Sequence, residues 1–254
     1  MPLSIRRVAW PLAVALCLAA ILVLPPRAGA ADGDFTPAQR QAIEHIVHDY
    51  LVNHPEALLE ALQAAEDKIK SDAHDKAQSA LAQHKAEIFE DPNTPVGGNP
   101  QGSVSLVEFF DYRCPYCKQV EPSLESLTDS NKDLRFVYKE FPILGPASTT
   151  AARVALASRK QGKYAAFHRA MMATKGNIDD AAVFKVAESV GLNLKRLRRD
   201  MKDPEIDRQL KANAELAQAL DITGTPGFVI GNTIVPGAIS FDDLKKLIES
   251  ARNG

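Results

Sequence analysis

The tetrapeptide Cys114-Pro115-Tyr116-Cys117 constrains this chain more than any other stretch. It follows the apolar run Val104-Ser105-Leu106-Val107-Glu108-Phe109-Phe110 and opens a helix-compatible segment from Lys118 to Leu127. Strand, tight turn and helix start are thus crossed within about a dozen residues. A cysteine at a helix N-terminus meets free backbone N–H groups and the positive end of the helix dipole, both of which favour thiolate over thiol. A second cysteine three residues on can close a disulfide or resolve a mixed one. As a structural staple the pair would be weak, because so small a loop removes little entropy from the unfolded chain. As half of a zinc site it lacks a second Cys pair or a histidine pair at ligand spacing. The strand-to-helix setting therefore points to a redox pair.

The first thirty residues read as an export leader. Arg6-Arg7 is a basic start, Val8 to Leu24 is apolar, and Ala28-Gly29-Ala30 has the small-residue pattern of a cleavage site. The apolar run is short for a membrane span, and Pro11 interrupts it. Cleavage near Ala30 through the general secretory route, release into the periplasm and no stable membrane insertion are expected; twin-arginine export is the alternative. Cys17 leaves with the leader, so Cys114 and Cys117 remain as the only cysteines. Without Arg6, Arg7 and Arg27 the balance is 27 basic against 32 acidic residues, a net charge of −5. A mildly acidic product without a basic cluster is a poor nucleic-acid binder. Two vicinal cysteines in an oxidising compartment suit disulfide exchange.

Residues 36 to about 90 contain no glycine and are rich in Ala, Gln, Glu, His and Lys. Thr36-Pro37 reads as an N-cap followed by proline at the first helical position. Ile43, Ile46, Val47, Tyr50 and Leu51 recur on one helix face, and Asn53-His54-Pro55 breaks that helix and starts another. In the second, Leu58, Leu62, Ala65 and Ile69 form a narrow seam like that of a coiled coil. Such a thin stripe suits pairing with copies of itself better than packing as a core helix. Homo-oligomerisation through residues 36–90 is expected.

Asp91 to Pro100, with its Pro, Gly and Asn residues, reads as a linker and marks a domain boundary. Residues 91–254 then form the second domain. Arg135 to Phe141 reads as a second strand ended by Pro142. Helices are expected over Ala147–Arg159, Tyr164–Ala173, Asp179–Val190, Leu194–Met201 and Glu205–Leu220, punctuated by Gly162, Gly176 and Gly191. They make a helical insertion over about 146–220. Phe228–Ile230 and Thr233–Val235 form a hairpin about Gly231-Asn232, and Ser240 caps a last helix from Phe241 to Ala251. The fold class is α/β, with a separate helical cap.

Three features together resemble the thioredoxin superfamily, and within it the exported DsbA-like proteins. They are Phe109-Phe110-Asp111-Tyr112-Arg113-Cys114-Pro115-Tyr116-Cys117, Gly224-Thr225-Pro226-Gly227 before the hairpin, and the helical insertion after the second strand. The resemblance implies a thioredoxin fold over roughly residues 100–254. It also implies Cys114 as the solvent-facing attacking cysteine and Cys117 as the buried resolving one. Pro226 matches the cis-proline opposite the disulfide, and Thr225 would offer its backbone to a bound client strand. Glu108 matches the acidic residue behind the motif, where it could relay a proton for Cys117. Within the motif, Pro115 fixes φ, and Tyr116 stands where the most oxidising relatives carry histidine. Lacking that positive charge, this pair is expected to be a milder oxidant. The N-terminal helices are similar to those of the oligomeric ScsC-like branch, in which activity leans toward disulfide isomerisation.

The leading expectation is a periplasmic thiol–disulfide oxidoreductase, an isomerase or reductase. Its expected clients are misfolded or unfolded exported proteins with cysteines, and a membrane redox partner would reset the pair. Two alternatives are a monomeric DsbA-like dithiol oxidase and a copper-tolerance protein that holds Cu(I) on Cys114 and Cys117, with His45 and His48 as added ligands. No resident cofactor or metal is otherwise implied.

Overall fold

A computed structural model describes residues 35–253 of the chain; the expected leader and Cys17 lie outside the described residues. Five strands form one mixed sheet in the order β1-β3-β2-β4-β5. They are β1 (Val96–Gly98), β2 (Val104–Phe110), β3 (Leu134–Glu140), β4 (Gly227–Ile230) and β5 (Thr233–Pro236). The central strand β2 runs parallel to β3, with Val104 opposite Leu134 and Phe110 opposite Glu140. It runs antiparallel to β4, with Glu108 opposite Phe228. Both faces of β2 are covered, which is why its apolar residues run almost without a break.

Period-two alternation sorts β2 to its two faces. Val104 and Leu106 pack with Val120, Leu124 and Leu127 of α4 (Pro115–Ser130) and with Leu244 and Ile248 of α10 (Phe241–Asn253). Val107 and Phe109 turn the other way. They join Leu81, Ile88, Phe141, Leu216 and Leu220. Glu108 therefore shares the α4 face with Leu106 and Phe110, and the same alternation that builds the core carries a carboxylate into it.

The connection from β3 to β4 is helical: α5 (Pro146–Ser158), α6 (Tyr164–Ala173), α7 (Asp180–Ser189), α8 (Leu194–Asp200) and α9 (Pro204–Ala219). Its own core gathers Ala151, Val154, Phe167, Met171, Val183 and Leu197 and reaches the redox helix through Phe110, Tyr112, Cys114 and Cys117. This is the thioredoxin fold with a helical insertion, and its strands and helices from β2 onward fall within about three residues of the positions that patterning indicates. One element was not foreseen. The turn cluster over 91–100 contains β1, whose three residues pair antiparallel with β3. Only two glycines and a valine form it, too short and too glycine-rich to register as a strand by composition.

By compactness the chain divides at Ala61/Leu62. In the first unit, α1 (Pro37–Asn53) is closed by a capping box: the Gln39 amide donates to Thr36 Oγ1 at 3.3 Å, and the Thr36 amide donates to Gln39 Oε1 at 3.0 Å. None of its residues is buried. A second helix, α2 (Pro55–Gln83), starts after the His54 break; its first buried residues are Ala77 and Leu81. A short helix, α3 (Lys85–Phe89), follows and buries Ile88 completely. Two cations fasten α3 to the sheet. Arg135 donates to the Phe89 carbonyl, and Lys139 Nζ donates to the Glu87 carbonyl at 2.7 Å and to Thr94 Oγ1 at 2.9 Å.

Candidate active site

Cys114 is the N-cap of α4 and Pro115 its first residue, so the helix opens without losing a backbone donor to the proline. Asp111 fixes the turn before it. One carboxylate oxygen accepts from the Arg113 amide at 2.7 Å; the other accepts from the amides of Ile143 and Leu144 at 2.9 and 3.0 Å. The buried aspartate thereby joins the redox turn to the loop after β3.

The two cysteines, both free thiols here, differ sharply in environment. Hydrogen bonding from the Cys117 thiol is the main reason the Cys114 pKa falls to about 5. Burial opposes it, while the Thr225 side chain and the amides of Cys117 and Tyr116 add to it. When protonated, the Cys114 thiol instead donates to the Thr225 carbonyl at 3.1 Å, a contact that ionisation exchanges for those donors. Cys117 is held the other way. Its hydrogen bond to Cys114, its burial and the charge of Glu108 all push its pKa far above the usual thiol range. The expectation of a solvent-facing Cys114 needs correcting in degree. It exposes 3 % of its surface and Cys117 none.

Thr225-Pro226 is a cis peptide bond, and its residues lie beside Cys114. Gly227 follows because a Cβ there would sit 2.4 Å from Ile222 Cγ2. Tyr116, in contrast, is largely exposed, as are Ile143 and Leu144.

Glu108 is fully buried, and neither of its oxygens has a hydrogen-bond partner. Burial raises its pKa well above the carboxylate range, with Glu121, Cys114 and Glu140 adding to the rise. Behind it lies a network that sequence patterning missed. The Tyr112 and Tyr164 hydroxyls donate to Glu140 Oε1 at 3.0 and 2.9 Å. Tyr112 has then given its only proton, so its oxygen accepts from His168 Nδ1–H at 3.1 Å. His168 Nε2 lies 3.2 Å from Glu121 Oε1, near enough for charge interaction but not aligned as a hydrogen bond. These residues stand far apart in sequence and only topology assembles them.

His45 and His48 each turn to Asp49, at 2.9 and 3.4 Å. Among the described residues no group of three or more His, Cys, Asp or Glu side chains is placed to hold a metal ion.

With this geometry in hand, comparison with known proteins is decisive. A model described as "DSBA-like thioredoxin domain" matches residues 105–249, more than half of the chain. The chain belongs to the DsbA-like thioredoxin family. A second model, "Copper resistance protein ScsC N-terminal domain", matches residues 39–70. Among solved structures, a thioredoxin-like oxidoreductase from Silicibacter pomeroyi is 44% identical, with 66% of this chain and 98% of that one covered and a TM-score of 0.66. The catalytic domain of Proteus mirabilis ScsC is 31% identical over 70% of this chain and 99% of that one, TM-score 0.64. BcfH from Salmonella enterica Typhimurium is 28% identical, covering 85% of this chain and 96% of that one, TM-score 0.68. A curated relative, an Na(+)/H(+) antiporter NhaA 1 of Salinispora arenicola, is 28% identical over 161 residues, which are 63% of this chain. The chain spans only about 25% of that protein's length. No described helix here is long and apolar enough to cross a membrane.

Proposed function

We propose that this DsbA-like chain is a periplasmic thiol–disulfide oxidoreductase that works as a disulfide isomerase or reductase on exported proteins. The observation that carries this is the split between the two sulfurs: Cys114 ionises near pH 5 while Cys117 keeps its proton. The Cys114 thiolate attacks one sulfur of a client disulfide, forming a mixed disulfide and expelling the other client sulfur as a thiolate. In isomerisation a second client thiolate attacks the mixed disulfide and returns Cys114 unchanged, with no net transfer of electrons. In reduction Cys117 attacks Cys114 Sγ, the client leaves as a dithiol, and the Cys114–Cys117 disulfide carries away the two-electron oxidation. A membrane redox partner then restores the dithiol.

Glu108 suits the role of proton acceptor for Cys117. Its oxygens have no competing partner, and burial raises its pKa well above the carboxylate range, so the carboxyl group can hold a proton beside Cys117. Thr225 and Pro226 would hold the client backbone next to Cys114, and Pro115 and Tyr116 shape the turn. The helices of residues 36–90, similar over residues 39–70 to the ScsC N-terminal family, would assemble several copies, so that a misfolded client meets more than one redox site.

The test is turnover of a scrambled disulfide protein. Cys114→Ser should abolish both isomerisation and reduction while the variant still unfolds in one cooperative transition, its midpoint lowered at neutral pH by loss of the Cys114 thiolate. Turnover surviving in that variant would sink the assignment. Glu108→Gln should slow the reductive half-reaction by about 10²-fold and spare the first attack. A second reading follows from the name of the 39–70 family: the reduced cysteines hold Cu(I), to which thiolates are well matched. Copper retained by the dithiol and released on oxidation would support it.

A further inference from the structure

A groove of about 520 Å³ opens beside Pro115. Three cations, Arg113, Lys118 and Lys175, line it together with Met172 and Ile178, and no carboxylate does. That is unusual for a chain with more acidic than basic residues. A second groove of similar size has the opposite balance, with Glu87, Glu90, Asp91 and Glu205 set against Lys139 and Arg208.

Two details explain how the first groove stays positive. The C-terminus of α6 ends in its wall, where unpaired carbonyls would present negative potential. Lys118 covers them, donating to the carbonyls of Met171, Met172 and Thr174 at 2.8, 3.1 and 2.7 Å. The nearby acids lie outside the lining and turn their oxygens to backbone amides. Asp111 is bound to three backbone amides, and Asp179 caps α7 by accepting from the Ala182 amide, with Asp180 behind it in the first turn. Buried Met172 and Ile178 supply an apolar floor. Since Pro115 is both groove wall and chain neighbour of Cys114, the groove begins beside the residue that a client engages.

We propose that this groove selects clients by charge, taking an acidic segment that flanks the cysteine under attack. The inference rests on the thiol–disulfide exchange reading above and adds to it a specificity. Lys175, exposed and free of the carbonyl contacts that occupy Lys118, is the residue that sets it.

The experiment compares three substrates of the full-length reduced protein at low salt. Two are disulfide peptides identical except for Glu-Glu or Lys-Lys beside the cysteine; the third is the small uncharged disulfide bis(2-hydroxyethyl) disulfide. The acidic peptide should be reduced with a kcat/KM about five- to tenfold higher than the basic one, and the preference should shrink toward unity at high salt. Lys175→Gln should reduce the ratio and Lys175→Glu should remove or invert it. Lys211→Glu, an exposed charge reversal on α9, should leave it unchanged. Equal rates for the two peptides, with the uncharged disulfide still reduced, would overturn the groove assignment alone. No reduction of the uncharged disulfide would overturn the exchange reading, and this proposal with it.

Discussion

Helix α1 and strand β2 are both rich in apolar residues, yet they spend them in opposite ways. In α1 Ile46 is 67 % exposed and no residue is buried; in β2 Val107, Phe109 and Phe110 are 0 % exposed. The strand is finished by the chain's own helices on both faces. The helix carries a periodic apolar stripe that its own unit leaves in water, as do Leu58, Leu59 and Leu62 of α2. The difference separates a body that buries its own apolar residues from a segment that leaves its apolar stripe exposed.

The sharpest way to break that contrast is to find where the body begins. Leu81 and Ile88 belong to the core cluster of Val107 and Phe109. A chain starting at Thr94 loses both, and leaves Arg135 and Lys139 without the Phe89 and Glu87 carbonyls. It should be destabilised by several kcal/mol in urea unfolding, since each large buried aliphatic lost costs about 2–5 kcal/mol. A chain starting at Ser71 keeps those contacts and should unfold near the midpoint of the full protein. If both shortened chains are equally stable, the helical root is not part of the body.

Within the body, the buried polar network is the next largest effect. Tyr112→Phe removes one of two hydroxyls on Glu140 and strands His168 Nδ1–H. Leaving buried groups unsatisfied costs about 1–3 kcal/mol. The same substitution at Tyr50, an exposed tyrosine of α1, should cost almost nothing to the monomer.

The thiol pair comes third. The Cys114 pKa falls from 9.0 to about 5 on folding, so the unfolded reduced chain binds more protons there than the native one between those values. The Cys114 contribution to the stability of the reduced protein should therefore rise with pH from about 5 toward 9.0 and be lost below about 5; it is read as the difference from Cys114→Ala, because buried Glu108 and Glu140, held upward, act in the opposite sense in both chains. Cys117, held upward, opposes this only above pH 9.0. Cys117→Ala removes the largest cause of the low value and should raise the iodoacetamide-labelling midpoint of Cys114 by at least about one pH unit, worth about 1.4 kcal/mol. An unchanged midpoint would place the cause in the helix start instead. The Ser71 chain should titrate like the full one, because all the groups cited lie in the body.

Much of this was legible in the residues. Val104–Phe110 announced a doubly covered strand, and Thr36-Pro37 a helix start, because apolar runs and caps act over a few residues. The candidate site was legible where short motifs carry it: Cys114, Cys117 and Glu108 lie within ten positions, and Thr225-Pro226 was named from its resemblance to the family's cis-proline motif. What escaped was non-local. Glu140, Tyr164 and His168 meet Tyr112 only after the insertion folds back. Strand β1 is held by its partner β3 and not by its own three residues. The charge of the Pro115 groove depends on Lys118 reaching carbonyls more than fifty residues away.

The smallest expected effect on the body is also the most direct test of the arm. Leu58 and Leu62 are half exposed and lie one turn apart, so replacing both with lysine removes no packing from the monomer. The unfolding free energy of the body should move by less than about 0.5 kcal/mol, as for surface substitutions elsewhere. If copies pair along this seam, two lysines per chain facing their counterparts should drive the mass by light scattering from a multimer to a monomer. Isomerisation should then fall while reduction of a small disulfide persists, since only the former gains from several redox sites around one client. A parent protein that is already monomeric would leave the stripe without that partner, and the chain would then be better read as a DsbA-like oxidase carrying a helical arm.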